Sequence, residues 1–206
     1  MKLDEKFTPQ TWPVSPETQT LEGKNKFLGF WLFLGGETVL FASLFATYLA
    51  LKDSGSSIKA NELFDPVLVF AMTMLLLTSS LTSVYAIYHM KNYNFKKMQA
   101  WFFITVLLGA GFLALEVYEF YHYVHEYHFG FKSSAFSSAY YTLVGTHGAH
   151  VLFGLCWIIT LLLRNSKRGL NLYNAPKYYT ASLYWHFIDV VWVFIFTVVY
   201  LMGMVG

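Results

Sequence analysis

The chain reads as an all-α polytopic membrane protein, a five-transmembrane-helix bundle. Three observations carry that reading. Only 13% of the 206 residues are charged, about half the share found in a soluble domain. Five apolar runs, at about 27–51, 64–89, 98–121, 136–163 and 180–204, each reach the roughly 20 residues that a helix needs to cross a bilayer. The connections between them are short and carry the turn and charge residues, so no soluble domain fits among the helices.

Residues 1–26 precede the first run. They are polar, of mixed charge, and hold Pro9, Pro13 and Pro16, which reads as a polar cytoplasmic N-terminal arm. The first apolar run is too long for a signal-peptide core of roughly 7–15 residues, so no cleaved leader is expected. Orientation follows from the basic residues. Eleven lie on the arm and on the second and fourth connections, whereas Lys52, Lys59 and Lys132 lie on the other side. That asymmetry predicts an N-terminus in the cytoplasm and a C-terminus outside. A net charge of +2 gives no reason to expect nucleic acid. Cys156 is the lone cysteine, which excludes an intrachain disulfide and a paired-cysteine metal knuckle.

The second run carries hydroxyls. Thr78, Thr82, Tyr85 and His89 fall on one helical face and are expected to hold neighbouring helices. Gly35–Gly36, Gly109–Ala110–Gly111 and Gly145 with Ala149 are expected to allow close approach between helices.

The informative residues are ionisable groups inside the runs, each costly unless it faces protein, water or a lipid head group. His186 and Asp189 are three apart near the start of the fifth run and share a face. Glu37 lies ten residues into the first run, about 15 Å deep at 1.5 Å per residue. His147 and His150 lie eleven and fourteen residues into the fourth. Glu37, His147, His150, His186 and Asp189 therefore reach similar depths on three helices. Each histidine is expected to serve as a hydrogen-bond partner for Glu37 or Asp189.

The same residues admit other chemistries. Glu119, His122 and Glu126 have ligand-like spacing at the end of the third run, but the simpler reading is a helix end meeting water within an aromatic belt. His122/His125 and His147/His150 make two HxxH pairs, which would suit a di-iron membrane hydroxylase. They lie about 15 Å apart in depth, too far for one cluster. Haem ligation by His147 and His186 competes with their nearer hydrogen-bonding partners. A proton-coupled carrier built on Glu37 and Asp189 would call for an inverted repeat, and none is evident.

Three stretches then give a specific match: GFWLFLGGETVLFASLFATYLALK at 29–52, GTHGAHVLFG at 145–154 and YWHFIDVVWVFIFTVVYLMG at 184–203. In order and spacing they resemble subunit III of the haem-copper terminal oxidases, and the resemblance covers nearly the whole chain from about Gly23. That family usually has seven spans, and the five here look like the last five, as in the short form of bacilli and related bacteria. Tyr178 and Tyr179 stand where the family often has an acidic residue, so that contact is not carried over.

The resemblance implies subunit III of a bacterial cytochrome c oxidase. It would be an accessory, non-catalytic subunit of a proton-pumping complex, without catalytic, cofactor or metal residues of its own. It would pack on subunit I, bind phospholipid, and support proton uptake and active-site stability while oxygen is reduced to water. Haem and copper would sit on subunits I and II, a small subunit IV would accompany them, and the location would be the bacterial plasma membrane. Glu37, His147, His150, His186 and Asp189 carry the family's motifs and are expected to form an intramembrane polar core in contact with lipid or subunit I. The alternatives are subunit III of a menaquinol-oxidising enzyme and, more distantly, the stand-alone di-iron hydroxylase.

Overall fold

The computed structural model describes residues 8, 10–52, 54, 64–126, 129–166 and 169–205. Lys2, Lys6, Lys59, Lys167 and Arg168, counted in the charge asymmetry above, lie outside them. The five apolar runs are five helices long and apolar enough to span a membrane: α1 (Leu21–Leu51), α2 (Pro66–Lys91), α3 (Phe95–Glu126), α4 (Ala135–Asn165) and α5 (Ala175–Ile195). A π-helical stretch, Phe196–Leu201, and a last turn, Met202–Val205, continue α5.

Each helix starts on a local signal. Thr20 caps α1 by accepting from the Gly23 N–H. Asp65 accepts from Val67 N–H ahead of Pro66, whose missing donor costs nothing in a first turn. Ser134 and Ser137 form a reciprocal capping box on α4. Between α2 and α3 the chain reverses over Asn92–Asn94, with Tyr93 at φ 55°, a left-handed conformation that costs a bulky residue energy.

The packing is cyclic. α2 lies against α3, α3 against α4, α4 against α5 and α5 back against α2, while α1 leans on α4 and α5. α1 is peripheral: 11% of its apolar window is buried, against 33–39% for the others. Its buried apolar residues are Leu34, Phe41 and Tyr48, spaced by seven, which is one narrow seam along the helix.

The centre is built on two tryptophans of α5, Trp185 and Trp192, both fully buried. Glycines make room for them. A Cβ on Gly109 would stand 2.6 Å from the Trp185 ring, and one on Gly154 would stand 3.1 Å away. Gly35 and Gly36 would meet nothing within 4 Å, so the close approach expected of that pair does not occur within this chain. The indole N–H groups donate to α2: Trp185 to Ser79 Oγ at 2.9 Å and Trp192 to Thr73 Oγ1 at 3.1 Å. The expected hydroxyl face of α2 is met in part: Thr82 is buried and bonds Thr105 of α3 at 2.8 Å, and Tyr85 stacks on Trp101. Thr78 points outward instead, and Thr73, Ser79 and Ser83 also face the core. The indole donors decide which face turns inward, because a buried N–H without an acceptor is costly.

The N-terminal strap folds under this bundle. Trp12 and Glu17 are buried, Trp12 packs on Tyr93 with ring centroids 5.0 Å apart, and Glu17 stands 3.8 Å from Lys91.

Candidate functional site: the intramembrane polar residues

Glu37 and His150 meet directly. His150 Nε2 lies 3.0 Å from Glu37 Oε2, joining α1 to α4. The other ring nitrogen, Nδ1, lies 2.7 Å from the Thr146 carbonyl. A carbonyl only accepts, so Nδ1 carries a hydrogen. The contact to Glu37 then holds one shared proton, either on the acid or on Nε2. The pair is neutral as a unit in both arrangements, which suits its place within a span. Phe41 packs on the imidazole with centroids 5.1 Å apart, and Tyr184 donates its hydroxyl to the His150 carbonyl. A cleft of about 270 Å³ opens beside the pair, lined also by Phe33, Ala149 and Phe153.

His147, one turn earlier on α4, faces the core instead. It is fully buried, between Phe112 and Trp192, and its Nε2 donates to the Ile188 carbonyl at 3.3 Å. Its Nδ1 is buried without a hydrogen-bond partner among the described residues. On α5, His186 directs Nδ1 at Ser80 Oγ, 2.7 Å away on α2, and Nε2 at Ser182, 3.5 Å away. Asp189 is buried and interacts with Ser80. The five residues thus divide among three contacts: Glu37 with His150, His147 with the α5 backbone, and His186 and Asp189 with Ser80. Ser80 escaped the sequence reading because a lone serine in an apolar run carries no charge or motif.

A second polar cluster lies on α3. Glu116 and Glu119 are buried at 2% and 0% exposure, so Glu119 does not meet water as expected of the helix end. Glu119 accepts from Tyr123 at 2.7 Å and Tyr200 at 2.8 Å, with Tyr140 at 3.5 Å. Tyr140 and Tyr200 lie 3.0 Å from each other. Four aromatic and acidic side chains from α3, α4 and the C-terminal stretch converge here. Glu116 packs onto the bare backbone of Gly148, where a Cβ would meet a carboxylate oxygen. The ligand-like set is split, since Glu119 turns inward while Glu126 is exposed. Among the described residues no three metal-ligating side chains converge; His128 lies outside them. The one signal for this cluster was the i, i+4 spacing of Glu119 and Tyr123, since the other tyrosines are distant in sequence.

The comparisons with known proteins agree with one another. The family model described as cytochrome c oxidase subunit III matches residues 17–204. The chain is 76% identical to cytochrome c oxidase subunit 3 of Bacillus sp. (strain PS3) and 74% identical to that of Bacillus subtilis (strain 168), over the full length of both partners in each case. It is 49% identical to quinol oxidase subunit 3 of Bacillus subtilis (strain 168), over 92% of this chain and 93% of that protein.

Proposed function

The chain belongs to the cytochrome c oxidase subunit III family, and from that premise we propose that it is an accessory, non-catalytic subunit that stabilises a proton-pumping oxidase in the bacterial plasma membrane. As a multi-pass membrane subunit of a haem-copper oxidase it acts within a multi-subunit complex. The electron donor of that complex is cytochrome c. The observation that carries this is the gap between 74–76% identity to subunits named for cytochrome c oxidase and 49% to one named for quinol oxidase.

Haem and copper reside on subunits I and II. What supports an accessory role for this chain is the use of its own histidines. His150 has both nitrogens engaged by Thr146 and Glu37, and His147 donates to Ile188. A haem or copper ligand needs a bare ring nitrogen aimed at an open position, whereas both His150 nitrogens are engaged and His147 is enclosed between Phe112 and Trp192. Subunit I, or the lipid between the subunits, covers α1. Support comes from the single seam that α1 buries in its own bundle and from the cleft beside Glu37 and His150. A small subunit IV completes the complex, with the N-terminus of this chain in the cytoplasm.

The test is purification through a tag on this chain in mild detergent, with an optical spectrum, metal analysis and a donor assay. Haem and copper arriving with larger subunits, together with oxidation of reduced cytochrome c, are the expected results. A lone chain retaining iron would overturn the reading. Oxidation of quinol alone would move the chain to the quinol-oxidising branch.

A further inference from the structure

Ser80 on α2 stands between two ionisable side chains of α5. His186 Nδ1 lies 2.7 Å from its Oγ, and a side-chain hydrogen bond joins the same serine to Asp189. The other imidazole nitrogen, Nε2, is held loosely, 3.5 Å from Ser182 Oγ, and Ser182 meets Ser83 at 2.7 Å. Asp189 is 8% exposed, and its Oδ1 is buried without a hydrogen-bond partner among the described residues. Ser182 and His186 line a groove of about 340 Å³ between α2 and α5. The groove runs out past Tyr88 to Lys91, the last residue of α2. Ser80 is eleven residues short of Lys91, about 16 Å deeper along the helix.

The donors and acceptors of this chain can be counted. An ionised carboxylate only accepts, so with Asp189 ionised Ser80 donates its single hydrogen to Asp189 and accepts from His186. Nδ1 then carries the ring hydrogen, and Nε2 of the neutral ring is bare. With a proton on Asp189 every bond reverses: the acid donates to Ser80, Ser80 donates to Nδ1, and Nε2 carries the hydrogen. The same contacts serve both states, and neither requires the ring to flip. The order of residues excludes a hydrolytic triad, in which the histidine stands between the acid and the serine.

We propose that Asp189 is a proton-binding site inside the bundle, loaded and emptied through Ser80 and His186 from the groove. A proton from water in the groove adds to Nε2, the Nδ1 proton passes to Ser80 Oγ, and the Ser80 hydroxyl proton passes to the Asp189 carboxylate. Within the site three bonds to hydrogen form, at Nε2, Oγ and the carboxylate, and two break, at Nδ1 and Oγ. The site gains one proton, no electron moves, and the negative charge of Asp189 is cancelled, which suits a place within a span. Emptying is the same shift in reverse. The other ionisable groups around it are engaged elsewhere. Lys91 lies at the groove's outer end with Tyr88 and Tyr179, 3.8 Å from Glu17 of the N-terminal strap. Glu37 pairs with His150, His147 with the Ile188 carbonyl, and Glu119 with its tyrosines. The proposal does not depend on the electron donor or on the accessory role of the subunit, which haem content and cytochrome c turnover read separately.

The test is infrared difference spectroscopy on the purified oxidase complex carrying this chain, stepped from alkaline to acidic buffer. A carboxylic C=O band is expected to rise, to shift when aspartate carries carbon-13 at its side-chain carboxyl, and to be missing in Asp189→Asn. After a light-triggered proton release from a caged acid, the same band is followed in time. Its rise is expected to slow about a hundredfold in Ser80→Ala, the low end of what one positioned proton-transfer group supplies, and to recover in Ser80→Thr, which keeps the hydroxyl. His186→Gln keeps hydrogen-bonding groups but cannot pass a proton across its side chain, so it slows the rise alike and reads the relay even where Ser80→Ala does not assemble. A merely structural role would change the amount of assembled complex and leave the rate alone. A wild-type complex without the Asp189 band, or a rise at the wild-type rate in Ser80→Ala or His186→Gln, overturns the proposal.

Discussion

Tyr200 donates its hydroxyl to Glu119 at 2.8 Å, tying the C-terminal stretch to the third helix across 81 residues of sequence. Glu119 is fully buried, and its other close donor, Tyr123, sits one turn along its own helix. The phenol of Tyr200 is thus the long-range half of this carboxyl's hydrogen bonding.

Tyr200→Phe should destabilise the subunit by about 1–3 kcal/mol, the cost of depriving a buried polar group of a partner. Tyr123→Phe should cost a similar amount by removing the local half. Thermal dissociation of the subunit from the purified complex, followed by native gels, measures both. A Tyr200→Phe variant that dissociates at the wild-type temperature would contradict the assigned bond.

Thr73→Val keeps the shape of its side chain but removes the acceptor for the Trp192 indole N–H. The orphaned donor should cost about 1–3 kcal/mol and lower the dissociation temperature. Thr78→Val, on the outward face of α2, should leave it unchanged. Equal loss in the two variants would show that the α2 face has been misassigned.

Gly109→Ala places a methyl 2.6 Å from the Trp185 ring, and overpacking of this kind typically costs about 1–3 kcal/mol. Gly35→Ala meets nothing within 4 Å and should be neutral, or gain about 0.5–1 kcal/mol from helix propensity, in the isolated chain. If Gly35→Ala instead weakens assembly, the stripe on α1 is pressed against another subunit. Co-purification ratios read both variants.

Glu37→Ala and His150→Ala each remove one side of a single shared contact, so their effects on the half-life of turnover should not add. Residues in direct contact couple by about 0.5–3 kcal/mol. Haem content should stay at the wild-type level in both single variants and in the double variant. Additive losses would mean that the two side chains act independently.

The five spans were legible because apolar length alone specifies them. Helix ends were less so: α1 begins at Leu21 and α3 runs to Glu126, since a helix continues into polar turns that hydropathy does not register. Depth arithmetic brought Glu37 level with His150, and the structure joins them at 3.0 Å. Depth alone does not fix azimuth, so it could not separate His147, which faces Trp192, from His150, which faces α1. The tyrosine cluster around Glu119 was hidden for a related reason. Glutamate near a helix end is ordinarily solvated, and the groups that desolvate it come from α4 and the C-terminus.

The π-helical stretch at Phe196–Leu201 makes that meeting possible. Eight residues separate Trp192 from Tyr200, which in a regular α-helix leaves the second side chain about 80° off the face of the first. The wider π turn returns Tyr200 to the core, with its ring 5.9 Å from Trp192. The extra residue is therefore part of the gene's reading of its own last helix. Gain of one apolar codon between Phe196 and Tyr200 would preserve hydropathy and lengthen the span by only about 1.5 Å, yet swing the phenol about 100° away from its acid. A mutation scan scoring only apolar character would pass that insertion as silent, while a growth assay under respiratory conditions should not.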